Sequence, residues 1–385
     1  MIIETFSYHT GTGFSLRPFP ALDSERTVVF IFGGSQVIDD PAPLEELRKA
    51  YPNSILMGCS TSGEILGEGI SDDSLAISVM KLETGRVKIT YASISEAAES
   101  AAAGEKLAGE LAMSDLKGVF VLSDGLGVNG TVLAAGINRR LPGGVKVSGG
   151  LAGDGSRFQR TWVLKDGKPI SGVVAALGLY GTALEIGHGS KGGWDIFGPE
   201  RMVTRSAGNV LYELDGKPAL ELYKEYLGQR ATELPGSALL FPLSLRMDPK
   251  SSDRVVRTIL GIDEKSQSLT FAGDIPEGYR AQLMRANFER LINGAAESAV
   301  MTSNGWTAVD HGEPMLAIAV SCVGRRLVLG QRAEEETEAS LKSFPPGTRQ
   351  IGFYSYGELS PTAPDASCEL HNQTMTFTTI REKDE

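Results

Sequence analysis

Gly58-Cys59-Ser60-Thr61-Ser62-Gly63-Glu64-Ile65 is the stretch on which the reading of this chain turns. The apolar run Ser54-Ile55-Leu56-Met57 leads into it; three hydroxyls and a thiol then lie between two glycines, and a carboxylate follows. Glycine reaches positive φ and lets a backbone approach a ligand closely. An apolar strand that ends in glycine, small hydroxyls and an acid has the pattern of the carboxyl end of an α/β strand, where ligands bind. The same residues also suit a tight turn whose Ser and Thr cap a following helix. The sequence leaves both readings open.

Apolar, β-branched runs alternate with helix-like segments on either side. Residues 27–32 read as a buried strand stopping at Gly33-Gly34, and 41–51 as a helix whose acidic first half and basic second half suit the macrodipole. After a return strand at 55–57, residues 75–80 and 87–92 read as a hairpin pair around Glu83-Thr84-Gly85-Arg86. A helix at 97–112, a strand at 119–122, a helix at 129–140 and a strand at 145–147 follow. The last of these delivers the turn Gly149-Gly150-Leu151-Ala152-Gly153-Asp154-Gly155. Between 161 and 184 the pattern changes to hairpins, with Asp166-Gly167 as a turn signal. Residues 187–193 read as a glycine-rich loop without P-loop or dinucleotide spacing. The second half predicts a helix at 219–227, a hairpin from 255–260 and 268–271, and the longest helix at 280–301. A strand at 315–321, a helix at 334–342, strands at 351–354 and 375–380, and a charged, frayed tail at 381–385 complete it.

The strand–helix–strand that ends in Gly63-Glu64 is echoed by the one that ends in Gly357-Glu358. The expected fold is therefore α/β (α+β mixed sheets), with two related strand–helix–strand layers and β-hairpin insertions. A chain of 385 residues exceeds one ordinary core. The expected division is a lead-in at 1–26, domains at 27–214 and 215–380, and the tail at 381–385.

Hydrophobic residues at 41% and charged residues at 22% describe a globular chain with a core, not a disordered one. A formal charge of −11 with no Lys/Arg run argues against a broad nucleic-acid surface. The start Met1-Ile2-Ile3-Glu4-Thr5 lacks the pattern of a signal peptide, and the most apolar stretch, 173–184, is broken by glycines and too short to cross a bilayer. The expectation is a cytoplasmic protein with no membrane or nucleic-acid partner. Cys59, Cys322 and Cys368 have no CxxC spacing, and His9, His188, His311 and His371 form no metal pattern. An axial haem ligand needs only one such side chain and stays open.

Cys59, in its polar glycine-flanked turn, reads either as a reactive thiol or ligand contact, or as a buried inert residue. Asp124 and Asp154 each follow a short strand beside glycines; such carboxylates act as an acid–base pair, hold an ammonium, or cap turns. An amino-acid ligand would require an acid for its ammonium, from Glu64, Glu358 or Asp154, and a cation for its carboxylate, from Arg325. Tyr354 and Tyr356 share one strand face, as do Asn372 and Thr374, with His371 on the other. An enzyme would use Cys59 or Ser60 as nucleophile, but no GxSxG elbow and no assignable base accompany them. Convergent polar groups without a base favour binding over catalysis.

The octapeptide GCSTSGEI resembles the signature of the FIST N-terminal domain, and residues 149–155 resemble that domain's second block. Ser321-Cys322-Val323-Gly324-Arg325, Phe353-Tyr354-Ser355-Tyr356-Gly357-Glu358 and Glu369-Leu370-His371-Asn372-Gln373-Thr374-Met375 resemble three blocks of the FIST C-terminal domain, in order. Trp194 resembles the family's Gly-Trp position. The resemblance assigns residues 27–214 to the N-terminal domain and 215–380 to the C-terminal domain. It implies a sensory module that binds a small ligand, such as an amino acid, in a pocket between the two. Such a module relays its state to a separate protein, a histidine kinase or a cyclic-dinucleotide enzyme. Some relatives bind haem and respond to nitric oxide; here that ligation would fall to His188 or His371. The implied ligand-binding set is Cys59, Ser60, Thr61, Ser62, Glu64, Asp124, Asp154, Cys322, Arg325, Tyr356, Glu358 and Asn372.

Overall fold

The computed structural model describes residues 1–248, 254–303, 314–361 and 366–383. Thr27–Gly33 and Met315–Cys322 are apolar runs buried along their whole length, as strands covered on both faces must be. Each opens a parallel pair: Thr27–Gly33 with Ile55–Ser60, and Met315–Cys322 with Arg349–Ser355. A third pair, Leu116–Ser123 with Lys146–Leu151, lies between them in the chain. Helices Ala42–Ala50, Gly130–Asn138 and Ala333–Ser343 make the crossovers. Asn129 caps the second of these by accepting from the N–H groups of Thr131 and Val132.

Three sheets are built on these pairs in one repeating order. On one flank of each pair lie two antiparallel strands: Ser74–Lys81 and Ile2–His9, Val173–Tyr180 and Arg86–Ser93, Met375–Glu382 and Leu184–Lys191. On the other flank lies a hairpin exported from a different unit. The first unit sends Glu64–Leu66 and Gly69–Ser71 to the third sheet, and the second sends Val163–Lys165 and Lys168–Ile170 to the first. The third sends Gly357–Pro361 and Cys368–His371 to the second sheet. The exchange is cyclic, so the topology is pseudo-threefold. The echo between the first and last strand–helix–strand layers is present, and the structure adds a third copy.

The inner faces of the three sheets share one core, in which Phe32 stacks on Phe353 at 4.7 Å and Phe30 meets Phe120 edge-on at 5.9 Å. Helices cover the outer faces, Leu44 and Leu47 packing with Val29 and Ile31 on the first sheet. Among the described residues no helix is long and apolar enough to cross a membrane.

Several expectations are corrected by long-range pairing. Ser74–Lys81 and Arg86–Ser93 do not form a hairpin with each other; they lie in different sheets. The connection between them is held by Glu382, which accepts from the N–H groups of Glu83 (2.7 Å), Thr84 (2.8 Å) and Gly85 (2.7 Å). Burial pushes the Glu382 carboxyl up, but these donors outweigh it and hold its pKa at about 2. Arg381 and Glu382 are thereby buried in the last strand, not frayed, while 384–385 fall outside the described residues, as does His311.

The expected glycine-rich loop at 187–193 is largely the strand Leu184–Lys191. A Cβ on Gly187 or Gly189 would lie 2.2 or 1.9 Å from the carbonyl oxygens of Thr302 and Ser298, so these glycines let the helix Phe288–Met301 and its C-terminal turn lie directly on the strand. The expected long helix at 280–301 is a strand, Arg280–Arg285, followed by Phe288–Met301 with Asn287 as N-cap. The strand half pairs with both Asp195–Ala207 and Leu243–Arg246. These three belong to an eight-stranded sheet within residues 195–285, an insertion with its own core of Leu211, Leu220, Leu269, Phe271 and Leu283. The expected boundary at 214/215 falls inside this sheet, between Val210–Leu214 and Lys217–Pro218.

Candidate functional site

The carboxyl ends of the parallel pairs are laced together by three equivalent hydrogen bonds. Ser62 N–H donates to the Tyr354 carbonyl (2.8 Å), Gly153 N–H to that of Ser60 (2.9 Å) and Tyr356 N–H to that of Leu151 (3.2 Å). Two of the three corners carry the same carboxylate cage. Glu64 accepts from the Thr61 hydroxyl and from the N–H (3.1 Å) and hydroxyl (2.7 Å) of Ser74. Glu358 accepts from the Ser355 hydroxyl (2.7 Å) and from the N–H (3.2 Å) and hydroxyl (2.9 Å) of Thr374. The third corner has Ala152, Val163 and Val173 in the corresponding places. Burial outweighs the donors at both cages, raising the pKa of Glu64 to about 7 and that of Glu358 to about 8.

The rest of the octapeptide is occupied in the same way. Ser60 Oγ accepts from Trp162 N–H (3.0 Å), and Ser62 Oγ lies 3.4 Å from the Gly155 carbonyl. Cys59 is fully buried in the central core, and burial drives its thiol pKa well above the usual value. Asp124 organises a turn, accepting from Leu126 N–H (2.9 Å), Gly127 N–H (2.8 Å), Gly172 N–H (3.1 Å) and the Thr161 hydroxyl (2.9 Å). Burial raises the Asp154 carboxyl, but donors on Ser35, Arg157, Arg160 and Gln159 prevail and pull it below the ordinary range.

Arg325 is fully buried and faces Glu336, with Nε and Nη2 at 3.0 and 2.7 Å from one carboxylate oxygen. It also donates to the carbonyls of Gly192, Leu291 and Gln373. Glu336 in turn accepts from Ser321 Oγ and Tyr354 Oη. Buried His371 places Nε2 2.9 Å from the Ser360 carbonyl oxygen, and burial lowers its pKa to about 4. His188 lies within the strand Leu184–Lys191, opposite Thr378. Among the described residues no cluster of His, Cys, Asp and Glu has metal-site geometry.

A cavity of about 290 Å³ opens where the insertion meets the Glu358 corner, at the lower end of the range for small-molecule sites. The insertion contributes Leu239, Thr258, Ile259 and Leu260; the short helix Val323–Leu329 contributes Val323, Gly324 and Leu327. Phe158 and Tyr356, stacked at 4.3 Å and 15°, form another wall. Of the sequence-derived set, Cys322, Tyr356 and Asn372 line this cavity; the other members do not. Asn372 is fully buried, and among the described residues neither atom of its side-chain amide has a hydrogen-bond partner; the Thr258 hydroxyl is equally unpartnered there. These atoms have essentially no accessible surface and lie behind the cavity wall, as do both atoms of the Gln373 amide.

Sequence reasoning missed Phe158 and Thr258. Phe158 follows the Asp154 turn closely, but its outward placement depends on a backbone φ of 52° that no local pattern announces. Thr258 sits between two short strands of the insertion and carries no signal of its own.

The FIST N domain matches residues 27–217 of this chain and the FIST C domain matches residues 219–361. The uncharacterized protein MJ1623 of Methanocaldococcus jannaschii is 27% identical over 233 residues, which cover 56% of this chain and 41% of that protein. The chain thus spans less than half the length of that relative. Among solved structures, a cyanuric acid hydrolase from A. caulinodans aligns over 78% of this chain and 100% of its own, at 10% identity and a TM-score of 0.19, a likeness too slight to bear on fold or function. The two domain matches together run through both halves of the chain, and the protein belongs to the FIST family, whose domains are signal-transduction sensors for small ligands.

Proposed function

We propose that this protein is a sensory module whose ligand enters the cavity between the insertion and the Glu358 corner, and whose occupancy is read by a separate signalling protein. The observation that carries this reading is a cavity of about 290 Å³ whose walls come from both segments, with the stacked rings of Phe158 and Tyr356 on one side. A ligand bridging the two would favour one seating of the insertion over others, which is the two-state element signalling requires. Catalysis finds less support: the Cys59 thiol is enclosed and strongly disfavoured as a thiolate, and Ser60 Oγ accepts a backbone hydrogen bond with no base assigned to it. Haem finds less as well, since neither His188 nor His371 lines the cavity.

The test is native mass spectrometry of the protein mixed with a fractionated extract of molecules below ~1 kDa, beside the cavity-filling variant Ala272→Trp. A species retained by the parent and lost by a folded Ala272→Trp supports the reading. Equal retention by both, or none by the parent, overturns it.

A further inference from the structure

A second cavity, of about 260 Å³, lies where the insertion meets the helix Gly130–Asn138 and the strand Cys368–His371. Arg257 lines it and is only 6% exposed. Its guanidinium occupies room left by Gly273, where a Cβ would lie 2.9 Å from Nε. Nε donates to the Asp274 carbonyl (3.0 Å), and Nη1 to those of Val256 (3.2 Å) and Leu370 (2.9 Å). Nη2 has no hydrogen-bond partner among the described residues, and unlike the Asn372 amide it is not sealed from solvent. Among the same residues Arg257 forms no ion pair, whereas buried Arg325 has Glu336. Buried charges are ordinarily paired, so a cation with two idle N–H donors in a cavity is suited to an anion.

The lining narrows which anion. Burial lowers the Arg257 pKa to about 10 while the charges of Asp274 and Glu369 raise it, so the side chain is a cation at neutral pH. Those two carboxylates line the same cavity and weigh against a second negative charge on the ligand. His371, close enough to feel the cation, is neutral at that pH. Leu245, Val255 and Pro276 form an apolar wall. We infer that this cavity is a second binding site, for a small monocarboxylate whose head accepts from Arg257 Nη2 and whose apolar body rests on Leu245, Val255 and Pro276. It is separate from the cavity walled by Phe158 and Tyr356, the consecutive residues Arg257 and Thr258 lining one each.

Calorimetric titration with propionate and benzoate tests this, against propionamide, benzamide and sulfate at equal ionic strength. Arg257→Met removes the cation, Ala135→Phe fills the cavity from its helix wall, and Ala272→Trp fills the other cavity. The carboxylates should bind the parent at least about tenfold tighter than their amides, as charge-assisted hydrogen bonds exceed neutral ones. Binding should vanish in Arg257→Met and in Ala135→Phe and persist in Ala272→Trp; if Arg257→Met does not fold, Ala135→Phe decides. Glu369→Gln, at an exposed position, should tighten binding by roughly two- to fivefold. Amides binding as well as acids, sulfate binding more tightly than either acid, or binding that survives a folded Ala135→Phe would each overturn the inference. So would the absence of carboxylate binding at millimolar concentration. Loss in Ala272→Trp alone would place the ligand in the other cavity, overturning this site and supporting that one.

Discussion

Replacing Arg325 by Met separates two roles that one sequence position can play. As a ligand contact, the guanidinium would be dispensable for folding and its loss would weaken binding alone. The structure instead places it, fully buried, on Glu336 and on three backbone carbonyls belonging to the strand–insertion junction, the helix Phe288–Met301 and the last turn before Met375. Met fills much of the aliphatic stem but leaves Glu336 buried without its counter-charge. Removing one partner of such a pair costs about 3–5 kcal/mol. Hydrogen bonds to Glu336 from Ser321 and Tyr354 survive and place the expectation near the middle, at about 4 kcal/mol. The double variant Arg325→Met/Glu336→Gln removes the stranded charge while keeping an acceptor for both hydroxyls, and should recover roughly half of the loss. Urea unfolding read by tryptophan fluorescence and far-UV circular dichroism measures both. Trp194 reports locally, because its Nε1 donates to the same Gln373 carbonyl at 2.8 Å. A single variant within about 1 kcal/mol of the parent, or a double variant no more stable than the single, would refute the reasoning.

Three further outcomes follow from the corners and the core. Asn372→Leu forfeits no intramolecular hydrogen bond, so the ligand-free protein should keep its urea midpoint or gain ~1 kcal/mol; a loss beyond that would mean the amide has a structural partner. Glu64 and Glu358 bind protons more tightly folded (about 7 and about 8) than at the ordinary value of 4.5, so folding takes up protons in that window. Stability should therefore fall as pH rises through it, by at most ~1.4 kcal/mol per pH unit for each carboxyl, and Glu358→Gln should flatten the upper part; a stability rising from pH 6 to 8 would contradict this. Cys59, enclosed and held as a thiol, should resist iodoacetamide at pH 8 until the protein unfolds; stoichiometric native labelling within minutes would place it at an accessible site instead.

Much of the framework was legible because its causes are local. Fully apolar runs such as 27–33 announce strands covered on both faces, Asn129 announces a helix start, and Asp166-Gly167 announces a two-residue hairpin, with φ of 54° and 73° in the structure. The kinship of Gly63-Glu64 with Gly357-Glu358 was legible too, since the two corners kept the same hydroxyl–carboxylate chemistry. Their sister corner was invisible because Ala152, Val163 and Val173 carry no polar mark; only the sheet order and the cyclic hydrogen bonds reveal it.

What tertiary structure alone decided is which polar residue meets which partner. A carboxylate or guanidinium beside a glycine motif reads identically whether it faces a ligand or another side chain, and the fold gave Arg325 to Glu336, Asp124 to a turn and Asp154 to Arg157. Strand partners were equally beyond local reach: the runs at 75–80 and 87–92 suit a hairpin in isolation, yet each gains more by completing a different sheet. The cavity is the extreme case. Its walls come from Ser156 and Phe158, from insertion residues such as Leu239, Thr258 and Ala272, and from Cys322, Tyr356 and Asn372, brought together only when the insertion packs on the Glu358 corner. The sequence by itself determined the family, the strand–helix alternation and the residues rich enough to hold a ligand; burial and long-range pairing determined which of them, Asn372 above all, were left without a partner.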